Sequence, residues 1–181
     1  PLLDYVVRPL TAVKEAERLA VVGPEECLSP DLRSAVWQIV PFGHSMVENL
    51  SRGLTALAPR GKVLVVTADI PLITTEAIED FLVRCRAREA DIYYPVVARE
   101  PIETRFPGVK RTYATLREGT FTGGNIILLA PEIVERHLAT IEQAVALRKK
   151  PLQMARLLGL FYLLKLVFGR LSIGEIEQRI E

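Results

Sequence analysis

The sequence predicts a single α/β domain spanning residues 1–181, with helices on both faces of a central sheet that is mostly parallel and partly mixed. The length of 181 residues is close to the ~150 of a typical domain. Short apolar runs rich in β-branched residues alternate with longer segments of helical period, as in a three-layer α/β/α fold. With 49% hydrophobic and 25% charged residues, the chain has enough apolar material for one core.

In the first half of the chain, helix and strand alternate. The predicted elements are a helix near the start, a strand at 19–23, a mostly irregular segment at 24–44 with a candidate strand at 35–40, a helix at 45–57 and a strand at 62–68. Ser45 can cap the first turn of its helix. The run at 62–68 is apolar on both faces, which is typical of a central parallel strand.

The second half ends in a helical region. The predicted elements are a helix at 74–87, a strand at 91–97, an exposed flap at 98–109, strands at 110–116 and 125–129 around a connection at 117–124, and helices at 132–147, at 157–168 and after Ser172. Thr74 can cap the first of these helices, and Pro95 pushes its strand to a sheet edge or bulge. Ser172 and Glu175 have the spacing of a capping box.

Charge and composition exclude several classes of function. The net charge is +1, so no nucleic-acid or membrane partner is expected. The sequence has only two cysteines, Cys27 and Cys85, so a disulfide scaffold is not expected. Reduced thiols and a cytoplasmic location are the prediction. The apolar segment 157–168 is shorter than the ~20 residues needed to cross a bilayer, so we expect a buried helix. A homodimer through the apolar C-terminal helices is the alternative.

Asp69 is the first candidate for chemistry, because it directly follows the strongest predicted strand. Ligands of open α/β sheets bind beyond the carboxyl ends of the strands. Pro71 disfavours helical geometry in the residue before it, which leaves the Asp69 carboxylate in the crevice. Such a carboxylate suits Mg²⁺, which takes one or two protein carboxylates and fills its shell with water and phosphate oxygens. The alternative is an Asp that only satisfies loop amides after the strand.

A glycine pair followed by an asparagine forms the second candidate site. Gly123 and Gly124 permit positive φ and close approach of a ligand, and Asn125 offers both a donor and an acceptor. An ordinary hairpin turn is the alternative. Lys110 and Arg111, beside the predicted flap, could neutralise phosphate charge. His44 lies in a Phe-Gly-His-Ser loop that could face a ligand.

Missing motifs exclude other enzyme classes. The sequence has no Gly-x-Gly-x-x-Gly and no Gly-x-x-x-x-Gly-Lys-Ser/Thr, so dinucleotide-dependent oxidoreductases and P-loop NTPases have no support. It has no Gly-x-Ser-x-Gly elbow, and neither histidine has a ligand partner at zinc spacing.

Three motifs together resemble the MobA-like nucleotidyltransferases, which have the glycosyltransferase-A fold of nucleotide-diphospho-sugar transferases. The motifs are Val-Val-Thr-Ala-Asp-Ile-Pro at 65–71, the helix start Ser-Met-Val-Glu-Asn-Leu-Ser-Arg-Gly-Leu at 45–54, and Phe-Thr-Gly-Gly-Asn at 121–125. The run Arg-Phe-Pro-Gly-Val-Lys-Arg-Thr-Tyr at 105–113 places the chain closest to a bacterial branch of this family. Members transfer a nucleoside monophosphate from an NTP onto an acceptor with Mg²⁺.

The resemblance implies a role for each candidate residue. Asp69 matches the acidic residue that binds Mg²⁺. The implied nucleotide-binding residues are Ser45, Asn49, Ala68 and Asp69; the acceptor-binding residues are Gly123, Gly124 and Asn125; and Lys110 and Arg111 join Asp69 as catalytic residues that bind phosphate or acceptor. The family also has a glycine-rich phosphate loop in an opening segment and a further C-terminal segment. Both are expected to lie outside these 181 residues, and a chain without them would have little transferase activity.

The leading hypothesis is therefore a cytoplasmic, Mg²⁺-dependent nucleotidyltransferase that uses an NTP and a small-molecule acceptor. One alternative is a glycosyltransferase that uses a nucleotide sugar, although the Asp-x-Asp metal motif usual in that class is missing from the sequence. The other is a catalytically silent nucleotide-binding or assembly module.

Overall fold

The computed structural model describes residues 1–147, 160–167 and 169–180. Within these ranges the α-helices are α1 (Asp4–Thr11), α2 (Pro30–Arg33), α3 (Met46–Leu57), α4 (Thr75–Cys85), α5 (Arg99–Arg105), α6 (Pro131–Leu147), α7 (Leu160–Val167) and α8 (Ile173–Ile180). The strands are β1 (Ala20–Val22), β2 (Gln38–Val40), β3 (Val63–Val66), β4 (Ile92–Tyr93), β5 (Val96–Ala98), β6 (Ala114–Leu116), β7 (Gly119–Gly123) and β8 (Ile126–Leu129). The α/β class is confirmed.

The chain divides into two compact units. The first comprises Pro1–Tyr94 with Asn125–Ile141, and the second comprises Pro95–Gly124 with Glu142–Glu181. In the first unit, α1 contributes to two apolar clusters. Val6 is buried against Ile78 of α4, and Val7 is buried against Val21 of β1. Burying both sides of one short helix ties β1 and α4 to the same core.

Strand pairing in the described chain is more antiparallel than the sequence predicts. β1 and β2 pair in parallel, while β3–β8–β4 in the first unit and β5–β7–β6 in the second are antiparallel sheets. A uniformly apolar run such as β3 signals burial but carries no information about the direction of its partner. The expected mostly parallel central sheet is therefore not seen among the described strands, and the three-layer arrangement stays a prediction.

Helix starts follow the sequence closely. The Ser45 hydroxyl accepts a hydrogen bond from the Glu48 backbone N–H, and the Thr74 hydroxyl accepts one from Ala77, so both predicted caps are formed. The predicted capping box is formed as well, because the Ser172 N–H donates to the Glu175 carboxylate and the Glu175 N–H donates to the Ser172 hydroxyl. Local side-chain chemistry thus determines where these helices begin.

Three segments of the described chain differ from the prediction. The expected flap at 98–109 contains α5, which buries Ile102 and ends at Arg105; its C-cap is Phe106, the residue before a proline. The expected connection at 117–124 contains strand β7, so the predicted strand at 110–116 is shortened to β6 and forms a hairpin with β7. The strand predicted at 91–97 is split into β4 and β5, since Pro95 has no N–H to donate to a ladder.

The described C-terminal residues are mostly helical, as predicted. α7 covers part of the apolar helix expected at 157–168, and the rest of that segment lies outside the described residues. Lys165 of α7 forms an ion pair with Glu175 of α8. No helix in the part of the chain that the structure describes combines the length and hydropathy needed to span a bilayer.

Candidate functional site

The chain leaves the buried strand β3 at Thr67 and exposes Asp69 two residues later. The Thr67 N–H donates to the Asn125 carbonyl at 3.1 Å, which extends the β3–β8 pairing by one step. Residues 68 and 69 lie in a turn and are exposed, and the Ile73 N–H closes the next turn on the Ile70 carbonyl. Asp69 is therefore outside any helix, as the position of the following proline predicts.

One oxygen of the Asp69 carboxylate is held by two neighbours. Asp69 Oδ1 accepts hydrogen bonds from the Thr67 hydroxyl and, at 3.3 Å, from Asn125 Nδ2. The Thr67 hydroxyl also lies 3.3 Å from the Asn125 carbonyl. These contacts orient the carboxylate, and Asp69 as a whole remains exposed. The described residues contain no group of three or more His, Cys, Asp or Glu side chains that could hold a metal.

Asn125 has a left-handed backbone with φ of 60°. Asparagine tolerates this region better than most non-glycine residues, since its short polar side chain can form local hydrogen bonds. The backbone conformation lets Asn125 use its carbonyl and its side chain at the same time: the carbonyl binds Thr67 and the amide binds Asp69. The first unit therefore brings together two predicted site residues, Asp69 and Asn125.

The remaining predicted acceptor and phosphate residues belong to the second unit. Gly123 is the last residue of β7 and is paired with Val96. A Cβ on Gly124 would lie 2.9 Å from Cγ of Pro95, and the Gly124 N–H donates to the Pro95 carbonyl. Close packing against Pro95 is thus enough by itself to explain why residue 124 is a glycine. Lys110 and Arg111 are exposed in the irregular segment before β6.

The predicted nucleotide-binding residues of α3 hold the loop at 41–44. The Ser45 hydroxyl caps the helix. Asn49 Oδ1 accepts a hydrogen bond of 2.6 Å from the Gly43 N–H, and Glu48 Oε2 accepts one of 2.7 Å from the His44 N–H. That hydrogen bond, together with the Arg52 guanidinium, holds the pKa of Glu48 below its usual value. The fourth predicted nucleotide-binding residue, Ala68, is exposed beside Asp69.

This loop and the Asp69 turn lie at the same edge of the first unit. A groove of about 880 Å³ is lined by the first residues of β1 and β3 and by the last residue of α3. The carboxyl ends of β1 and β3 and the amino end of α3 therefore lie away from the groove. β2 runs parallel to β1 and leads into the loop at 41–44, while β3 leads into the turn at 67–69. Both segments are thus at the carboxyl edge, where α/β proteins bind ligands.

Sequence reasoning missed three residues of this edge: Thr67, Glu48 and Arg52. Thr67 is two residues from Asp69, so a hydroxyl beside a candidate carboxylate was the signal available. Glu48 follows Ser45 at capping-box spacing, but its carboxylate accepts from the N–H of His44 instead of that of Ser45. The spacing predicts a cap and gives no indication of the loop contact.

An α/β unit with an exposed, oriented carboxylate at its carboxyl edge places the chain in the class of α/β proteins that bind ligands at that edge. The chain matches the MobA-like NTP transferase domain over residues 1–150. A hypothetical transferase from Thermus thermophilus, of known structure, is 42% identical, with a TM-score of 0.83 over 99% of this chain and 74% of the Thermus chain. Comparison with the curated proteins gives no match. The chain belongs to the MobA-like NTP transferase family and is a nucleotidyltransferase, which confirms the resemblance.

Proposed function

We propose that the protein transfers a nucleoside monophosphate from an NTP to a phosphate or hydroxyl group of a small acceptor. The acceptor oxygen forms a bond to the α-phosphorus while the bond from that phosphorus to the bridging oxygen breaks. Pyrophosphate leaves with the electron pair, and the acceptor proton goes to solvent. The observation that carries the proposal is the Asp69 carboxylate, oriented by Thr67 and Asn125 in a chain of this family.

The residues at Asp69 fit a magnesium ion. Mg²⁺ is usually held by one or two protein carboxylates, with water and substrate phosphates completing its shell. Asp69 supplies one exposed carboxylate, and Asn125 and the Thr67 hydroxyl orient it by holding one of its oxygens. When bound, Mg²⁺ would supply charge neutralisation at the phosphates. Asp69 would be its protein ligand.

Other residues bind and orient the substrates in this proposal. Ser45, Asn49 and Ala68 contact the nucleotide from the carboxyl edge of the first unit. Gly123 and Gly124, with Asn125, bind the acceptor, and Lys110 and Arg111 neutralise phosphate charge as exposed cations. Positioning and charge neutralisation account for most catalysis of this kind, so no general base is required.

Membership of the NTP transferase family favours this function over a glycosyltransferase or a silent assembly module. The homodimer through the apolar C-terminal helices and the cytoplasmic location stay predictions. Leu164 of α7 is an apolar residue of these helices and is 49% exposed.

A thermal-shift panel tests the proposed function. The protein is heated with GTP, CTP, ATP or UTP, each with and without Mg²⁺, beside the variants Asp69→Ala and Asp80→Ala. Asp80 is an exposed aspartate of α4, so it is the matched control. A ligand at 100 times its Kd stabilises by about 2.7 kcal/mol, which raises Tm by roughly 5–10 °C for a chain of this size. We expect such a shift with one NTP and Mg²⁺, absent in Asp69→Ala alone. No shift with any NTP at millimolar concentration would contradict the proposal.

A further inference from the structure

The loop at 41–44 is held on α3 by a set of side-chain contacts that we call the loop clamp: Glu48, Asn49 and Arg52. Arg52 Nη1 donates to the Pro41 carbonyl at 2.9 Å, and Arg52 Nη2 donates to Glu48 Oε1 at 2.7 Å. The Gly43 and His44 N–H groups donate to Asn49 and Glu48. Arg52 Nη1 also donates to the Phe42 carbonyl at 3.5 Å, so backbone groups at all four loop residues are bound by one helix.

The clamp meets the loop at a glycine, Gly43. A Cβ on Gly43 would overlap the Glu48 carboxylate, which is itself held between His44 and Arg52. The loop therefore lies directly on the side chain that binds it. A loop fixed in this way needs little ordering when a ligand arrives, and such preorganisation lowers the entropic cost of binding.

Large apolar side chains remain in water on this fixed loop and at the start of α3. Phe42 is 62% exposed and Met46 is 49% exposed. The clamp contacts account for the backbone of the loop but leave the Phe42 ring without cover. Every nucleobase has a π face that stacks on an aromatic ring, and the loop lies at the carboxyl edge that carries Asp69.

We propose that Phe42, fixed by the loop clamp, is a stacking platform for the base of the bound NTP. The inference rests on the proposed function and adds to it a binding residue, Phe42, and two positioning residues, Glu48 and Arg52. Glu48 and Arg52 act through the loop, whereas the ring itself touches the base. Because stacking does not depend on the pattern of hydrogen-bonding groups, Phe42 contributes affinity for all four bases.

Calorimetry with two kinds of probe tests the proposal. Binding of GTP, CTP, ATP and UTP is measured in the presence of Mg²⁺, and binding of inorganic tripolyphosphate, which has no base, is measured in the same way. The variants are Phe42→Ala, Glu48→Ala and Glu48→Gln, with Asp80→Ala as the control for loss of an i,i+4 ion pair on a helix. Gln keeps an acceptor for the His44 N–H but loses the charge that binds Arg52.

We expect the variants to lose affinity for NTPs but not for tripolyphosphate, which has no nucleoside. Phe42→Ala weakens NTP binding roughly tenfold, the low end for a lost stacking contact. Glu48→Ala weakens it by about fivefold, as for one or two net hydrogen bonds, and Glu48→Gln by less. Tripolyphosphate binds all variants equally. A general folding defect would instead weaken the binding of both ligands. If Glu48→Ala does not fold, Phe42→Ala still tests the proposal, because the Phe42 side chain is exposed and its removal should not disturb folding.

Three results would overturn the inference, in different ways. Wild-type protein that binds no NTP would overturn the proposed function and this role with it. Wild-type protein that binds an NTP no more tightly than Phe42→Ala does would overturn the stacking platform alone. Equal loss of NTP and tripolyphosphate binding in Phe42→Ala would also overturn it.

Discussion

Asn125 offers the sharpest test of how the backbone prepares the site. Its φ of 60° costs an ordinary L residue roughly 1–2 kcal/mol, whereas glycine adopts it freely. Its side chain also donates to Asp69, an exposed hydrogen bond that contributes about 0.5–1 kcal/mol. Asn125→Ala loses the hydrogen bond and gains backbone strain, so we expect a loss of about 2 kcal/mol. Asn125→Gly loses the hydrogen bond and gives the unfolded chain more conformational entropy, so we expect a loss of about 1 kcal/mol.

Urea unfolding followed by circular dichroism measures this difference. The two variants should have the same slope m as the wild-type protein, so the shift in midpoint gives the change in free energy of unfolding directly. We expect Asn125→Ala to unfold at lower urea than Asn125→Gly, while both weaken Mg²⁺-dependent NTP binding to the same extent. A glycine variant that is as unstable as the alanine variant would refute the assignment of strain to this position.

Three further predictions follow from single contacts. Gly124→Ala lowers the free energy of unfolding by about 1–3 kcal/mol in a urea titration, because its Cβ would lie 2.9 Å from the Pro95 ring; a neutral change would contradict this. Thr67→Val removes a hydroxyl donor from Asp69, so calorimetry should show weaker Mg²⁺–NTP binding with little change in Tm; unchanged affinity would contradict this role. The pKa of Glu175 is held below its ordinary 4.5, first by the hydrogen bond from a lysine of α7. The ionised Glu175 therefore stabilises the fold above pH 4.5, and this contribution is lost as the pH falls through the folded pKa. The difference in free energy of unfolding between the wild-type protein and Glu175→Gln should accordingly shrink in acid. A difference that does not change with pH would contradict this.

Elements with a local cause were predictable from the sequence. The start of α3 depends on Ser45 and that of α4 on Thr74, and each cap lies within a few residues of the bond it forms. β7 was not predictable, because it begins and ends at glycines, which are typical of turns, while its pairing with β5 joins residues far apart in sequence. The antiparallel pairing of β3 could not be predicted for the same reason, because its partner β8 is distant in sequence.

The candidate site divides in the same way. The position of Asp69 followed from the strand before it and the proline after it, and the structure confirms that it is exposed in a turn. The hydrogen bond from Asn125 joins residues 56 positions apart, so no local pattern predicts it. The contact of Asn49 with Gly43 was also unforeseen, because helical spacing indicates which side a residue is on but not which loop folds back over it.

The most direct test of the central claim is the coupling between Mg²⁺ and nucleotide at Asp69. Calorimetry would give the NTP affinity with and without Mg²⁺ for the wild-type protein and for Asp69→Asn, which keeps the shape of the side chain and removes only its charge. We expect Mg²⁺ to strengthen NTP binding at least tenfold in the wild-type protein, about 1.4 kcal/mol of coupling, and to have no effect in the variant. The same Mg²⁺ enhancement in both proteins would show that Asp69 does not hold the metal.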